Sequence, residues 1–285
     1  MITAAPLLAL GAAACFGSAL VVTQFGLKHA ASIAGATVSI TLTLIAWCAL
    51  SPLLLDLEAW HVGALALFAL VGLFYPALVT LLTYESNRKL GPTLTGAVSC
   101  TAPIFAIITA MLLLGEPLGL PIAFGGAVVI SGLMLLAGRA PLQASPGWRL
   151  ALPLAGALFR GVAQTLTKLG LLLWPSAFAA ALVGYATSAA IMWGTAAARP
   201  HGSLRMSRAG FLWFCAVGTL NGGAVLLMYH ALKLGSVGVV SPLVATYPLF
   251  TMLFSAIFLK TEMLGTRALV GVLLAVGGVG IIVTA

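Results

Sequence analysis

The stretch PIFAIITAMLLLGEPLG, residues 103–119, returns later in the chain as PLFTMLFSAIFLKTEMLG, residues 248–265. Pro103 falls on Pro248, Glu116 on Glu262 and Gly119 on Gly265. The same spacing relates KLG at 89–91 to KLG at 233–235, and Gly125 and Gly132 to Gly271 and Gly278. The offset drifts only from 144 residues (Lys89 to Lys233) to 146 (Glu116 to Glu262). Phe16 with Phe159 is a weaker match near the start of each copy. Self-similarity at a fixed spacing marks a repeated structural unit, so the chain reads as two copies joined near its middle.

Composition decides the solvent of these copies. Of 285 residues, 62% are hydrophobic and 6% charged, whereas soluble domains are about 25% charged. Apolar runs long enough to cross a bilayer, about 20 residues, recur along the whole chain. They are continuous rather than alternating, which excludes an outer-membrane barrel. The formal charge of +8 comes from 13 Lys+Arg against 5 Asp+Glu. These charges are spread over short loops and span ends, so no nucleic-acid surface is expected. Cys15, Cys48, Cys100 and Cys215 fall in apolar runs without a CxxC and read as small buried hydrophobes. The N-terminal run lacks the basic flank of a signal peptide and reads as a retained span.

Loops and end charges divide the chain into ten spans, at 4–26, 31–55, 61–85, 93–114, 119–138, 150–173, 176–198, 209–231, 236–259 and 264–284. The expected fold is an all-α polytopic membrane protein, ten transmembrane helices forming a 5+5 inverted repeat around a central cavity. Residues 1–138 are the N-terminal repeat, 139–149 a linker loop and 150–285 the C-terminal repeat. Five spans per copy is odd, so the second copy enters the membrane from the opposite side. Inverted repeats belong to carriers, with the substrate site at the repeat interface near the midplane. Loop cations place both termini outside by the positive-inside rule.

Paired five-span copies, each with P-x-F and then GEPLG or TEMLG ahead of a glycine-rich last span, resemble the EamA-type transporters of the drug/metabolite transporter superfamily. Within it the chain is most similar to bacterial exporters of aromatic and other neutral amino acids. The resemblance implies a ten-span basket with a central cavity, export of small metabolites, and cytoplasmic termini. It also implies a Trp-Gly pair opening each repeat, with a lysine nine residues after the Trp. This chain departs from that pattern: Phe16-Gly17 leads to Phe25, and Phe159-Arg160 leads to Lys168.

Arg160 lies inside the apolar run 150–174. A charge at mid-bilayer costs several kcal/mol, so Arg160 must meet a wet cavity or a partner. Arg160, Gln164, Thr167 and Lys168 share one helix face. One reading has Arg160 receive a substrate carboxylate with Gln164 beside it. The other has it snorkel, or bond carbonyls freed by Pro153. The candidate substrate-binding residues are Gln24, Tyr75, Tyr84, Ser99, Phe159, Arg160, Gln164, Asn221, Tyr229 and Tyr247, with Thr80 as a further polar group. Tyr84 and Tyr229 also suit interfacial anchors. Pro103 and Pro248 are candidate hinges, since proline inside a span removes a backbone hydrogen bond.

Asp56, Glu58, Glu85, Glu116 and Glu262 all sit in loops or near span ends. A proton-coupled exporter of cationic drugs needs a buried carboxylate; Glu85 is the one candidate for such coupling. No acid–base or metal constellation such as HExxH is present, so an enzyme is disfavoured. His29 and His230 lack a second ligand, and no metal or cofactor is expected. The expected function is secondary transport of small amphipathic metabolites, foremost neutral and aromatic amino acids, by alternating access. A proton-coupled multidrug exporter is the alternative. The expected partners are a small-molecule substrate and membrane lipid, with a monomer plausible and the bacterial inner membrane the expected location.

Overall fold

The computed structural model describes residues 4–136, 150–198, 204–259 and 266–284. The linker 139–149 and the repeat residues Glu262 and Gly265 lie outside them. Twelve α-helices account for the described chain. They are α1 Ala4–Leu27, α2 Ser32–Leu54, α3 Val62–Phe74, α4 Ala77–Ser99, α5 Ala102–Leu114, α6 Leu120–Leu136, α7 Ala151–Leu173, α8 Ala177–Ala197, α9 Arg208–Leu234, α10 Val237–Val244, α11 Tyr247–Leu259 and α12 Thr266–Thr284.

Six stretches are long and apolar enough to span a bilayer: Ala4–Leu27, Ser32–Leu54, Val62–Leu90, Ala177–Ala197, Arg208–Leu234 and Val237–Ser255. The outward faces carry bare apolar side chains, among them Leu53, Leu112 and Leu120, the surface of a multi-pass membrane protein. α7 is less apolar because it is amphipathic in the reverse sense. Its Gln164, Thr165 and Thr167 are buried, and its Leu154, Leu158 and Leu172 are exposed.

Two spans differ from expectation. The span at 61–85 breaks at Tyr75–Pro76, a cis peptide, and helix then continues through Ser99 instead of ending in a loop at 86–92. The span at 236–259 divides between α10 and α11. Pro103 and Pro248 therefore do not interrupt a continuous helix. They stand at the second positions of α5 and α11, just after each break, where proline forfeits no helical hydrogen bond. Among the cysteines, Cys100 is buried but Cys48 is exposed, facing outward where lipid rather than protein covers a thiol.

The helices pack mainly across the two halves of the chain. α1 lies on α9 and α11, while α7 lies on α3, α4 and α5; α2 meets α9 as α3 meets α8; α6 pairs with α12. The contacts repeat atom for atom. A Cβ on Gly17 would lie 2.6 Å from Tyr247 O and 2.7 Å from Phe250 Cβ. A Cβ on Gly161 would lie 2.6 Å from Ala102 O and 2.8 Å from Phe105 Cβ. Only glycine permits backbones this close. Likewise Thr43 Oγ1 donates to Gly218 O at 2.8 Å, and Ser188 Oγ to Gly72 O at 2.6 Å. Gly17 thus corresponds to Gly161, and Phe16 corresponds to Arg160 rather than to Phe159. The counterpart of Lys168 is Gln24, not Phe25.

The two ends of the bundle are fixed by loop contacts. At one end Trp174 Nε1 donates to Asp56 O at 3.2 Å; at the other Ala30 bridges Met206. α1 runs toward the Ala30 end and α7 toward the Asp56 end.

Candidate functional site

A cavity lies between the halves, partly open to the surroundings. α1 contributes Phe16, Leu20 and Thr23; the α3–α4 break and α4 contribute Tyr75, Thr80, Thr83 and Tyr84; α7, α8, α9 and α11 contribute Arg160, Tyr185, Asn221 and Tyr247. These residues run from the middle of the helices toward the Ala30 end.

Arg160 is the charged residue of this wall. Its guanidinium carbon lies 5.8 Å from the Phe16 ring centroid and 5.6 Å from that of Tyr247. Cation–π attraction from the two rings helps to hold the group in place. Its Nε is buried without a hydrogen-bond partner. Among the described residues no carboxylate lies within ion-pair distance of it. Pro153 belongs to the first turn of α7, so it frees no mid-helix carbonyl for Arg160 to bond.

The other wall groups are tyrosines with anchored hydroxyls or rings. Tyr84 OH is 3.3 Å from Ser39 Oγ. The Tyr185 ring packs edge-on against Trp47 at 4.6 Å. The result is an aromatic chamber with one fixed cation and several hydroxyl and amide groups. Such a chamber suits an amphipathic molecule carrying an anionic group.

Five of the ten predicted residues line this cavity: Tyr75, Tyr84, Arg160, Asn221 and Tyr247, and Thr80 joins them. The other five are placed elsewhere. Gln24 Nε2 donates to Asn87 Oδ1 at 3.2 Å, near the Ala30 end. Ser99 is buried just before the α4–α5 break. Phe159 packs tilted against Phe74, ring centroids 5.7 Å apart, because it sits about 100° around α7 from Arg160. Gln164 and Tyr229 are buried toward the Asp56 end.

Lys168 ends the Arg160 stripe outside the cavity. Its Nζ donates to Leu232 O at 2.7 Å and Gly235 O at 2.9 Å, capping the C-terminus of α9. Glu116 Oε2 accepts from Val237 N at 2.9 Å, at the N-terminus of α10. Each charge matches the dipole of the helix end it holds. Glu85 is not part of the cavity wall; it pairs with Arg88 at 3.0 Å and Lys89 at 3.7 Å.

Sequence reasoning missed Tyr185, Thr23, Thr83 and the cavity position of Phe16. Tyr185 had a signal: it is the lone tyrosine within the alanine-rich α8. Phe16 became legible only once Gly17 was matched to Gly161.

The comparisons agree with this architecture. A crystal structure superposes with a TM-score of 0.80 at 16% identity, covering 99% of this chain and 98% of that one. At that identity it speaks for the fold alone. Among curated proteins none matches the chain. The EamA-like transporter family matches twice, over residues 3–138 and 147–284, one repeat after the other. The chain belongs to the EamA-like transporter family, whose members are membrane transporters.

Proposed function

We propose that this protein is a secondary carrier of small amphipathic metabolites that bear a carboxylate, foremost neutral and aromatic amino acids, working by alternating access. The observation that carries the proposal is Arg160. It is a permanent cation beside two aromatic rings in the central cavity; its buried Nε–H has no partner and, among the described residues, no carboxylate lies within ion-pair distance. An unpaired buried N–H on a charged group is costly, and a substrate carboxylate would satisfy it.

The proposed architecture is ten spans in a 5+5 inverted repeat, with residues 1–138 and 150–285 as the copies and 139–149 linking them. Supporting it are the twin contacts of Gly17 and Gly161 and the opposite directions of α1 and α7. Proposed hinges are the breaks before Pro103 and Pro248, which occupy equivalent places. The Ala30 end carries Lys28, Arg88, Lys89, Arg205 and Arg208. The positive-inside rule makes that end cytoplasmic, so the cavity would face the cytoplasm here. We place the protein in a bacterial inner membrane as a monomer surrounded by lipid. Glu85 lies off the cavity wall, which favours facilitated diffusion or exchange over proton-coupled drug export.

The test is uptake into liposomes of labelled phenylalanine, methionine, threonine and lysine, with and without a pH gradient. Saturable uptake of the neutral amino acids without a gradient is expected, and Arg160→Ala should weaken it about 10- to 100-fold, as loss of a charged hydrogen bond does. Gradient-dependent efflux of cationic dyes, abolished by Glu85→Gln, would replace this reading with the drug-export one.

A further inference from the structure

Two polar atoms on one face of α7, Arg160 Nε and Gln164 Oε1, are buried without a hydrogen-bond partner, and Thr167 Oγ1, one turn on, has only the Tyr229 hydroxyl near it. Gln164 is 1% exposed and Thr167 1%. An orphaned buried polar group is costly, so two in successive turns call for an explanation. Packing supplies none, since a leucine would fill the Gln164 position without the penalty. The other copy of the repeat has that leucine: with Gly17 matched to Gly161, Arg160, Gln164 and Thr167 correspond to Phe16, Leu20 and Thr23. Those three residues line the open cavity. Their α7 counterparts run from the cavity's middle toward the Asp56 end, where Tyr229, the counterpart of Tyr84, is buried beside Thr167.

We infer that Arg160, Gln164, Thr167 and Tyr229 form the second half of the substrate path, closed in this structure and lined by substrate when the Asp56 end opens. The chemistry names the cargo group. Arg160 offers a donor with positive charge, and Gln164 Oε1 an acceptor one turn away, about 6 Å along the helix face. A carboxylate on the first and an ammonium N–H on the second, with Thr167 as a further acceptor, is the recognition pattern of an α-amino acid head. The apolar copy of the stripe, Phe16 and Leu20, would meet the side chain instead. This inference rests on the carrier reading of the cavity.

The test compares L-phenylalanine with 3-phenylpropanoate, which keeps the ring and carboxylate but lacks the amino group. Both are followed into liposomes holding wild type, Gln164→Leu or Gln164→Asn. Gln164→Leu should raise KM for phenylalanine about tenfold, leave that for 3-phenylpropanoate unchanged, and be partly rescued by Gln164→Asn. Equal effects on both compounds, or none on either, would overturn the half-site while leaving the carrier intact. Absence of flux for both compounds in wild type would overturn the carrier reading, and the half-site with it. A Gln164→Leu protein that fails to fold leaves Gln164→Asn to decide through the same ratio of the two KM values.

Discussion

At the Asp56 end, the helix α9 stops at Leu234 and restarts as α10 at Val237, with Lys168 and Glu116 holding the two ends. At the Ala30 end, the equivalent stretch of α4 runs helical through Gly91 to Ser99, and the place of Lys168 is taken by Gln24, whose amide makes one 3.2 Å bond to Asn87. The copies share their packing contacts but differ at this joint. Tyr84 and Tyr229 occupy equivalent positions, each with its hydroxyl at one of the matched threonines Thr23 and Thr167, yet of the two Tyr84 lines the cavity. One sequence pattern therefore holds two conformations within one molecule. The cavity lies toward the end capped by a single amide, and the matching residues toward the end capped by charges are buried. On the carrier reading proposed above, exchange of such conformations between the halves would change the state of the protein.

The largest expected effect tests what the halves share. Gly17→Val and Gly161→Val each drive a side chain into backbone of the partner helix, a strain of about 3 kcal/mol or more. Both should abolish monodisperse protein in detergent, and a tolerated Gly17→Val beside a lethal Gly161→Val would break the equivalence. Next come the caps. Lys168→Met removes two charge-assisted bonds and Gln24→Met one neutral bond, about 1.5–3 against 0.5–1.5 kcal/mol per bond. Thermal unfolding should therefore fall further for Lys168→Met, and equal shifts would erase the asymmetry. Glu116→Gln keeps an acceptor for Val237 N but loses the charge at the helix end, an effect of about 0.3–1 kcal/mol visible as a small drop in melting temperature. Cys48→Ser, on an exposed face, should change stability by less than about 0.5 kcal/mol.

Much of the fold was legible because membrane helices advertise themselves by length and apolarity. The repeat at 103–119 and 248–265 gave the two copies, and most span limits fell within three residues of a helix end. The breaks at Tyr75–Pro76 and before Pro103 were not legible, because a proline marks a break equally well from within a helix or from the first turn after it. In the site, Arg160 was found because a charge inside an apolar run must be explained. Gln24 and Phe159 lie off the cavity lining and Ser99 stands behind Tyr247, because sequence fixes a residue's depth but not its rotation toward a neighbour. Phe159 and Arg160, adjacent in sequence, face different surroundings for that reason. The match of Phe16 to Phe159 looked natural by residue type; the close approach at Gly17 and Gly161 showed that the chemistry differs at equivalent places. That difference, a ring in one copy and a cation in the other, is what gives the chamber its polarity.

The most direct test of the two-state asymmetry is thiol labelling in a variant with Cys15, Cys48, Cys100 and Cys215 replaced. Tyr84→Cys and Tyr229→Cys would each be exposed to a membrane-impermeant reagent from one face at a time. The account predicts that position 84 reacts readily from the Ala30 face, and that position 229 reacts only from the opposite face, faster when phenylalanine is being exchanged. Reaction of both positions from the same face at the same rate would contradict it.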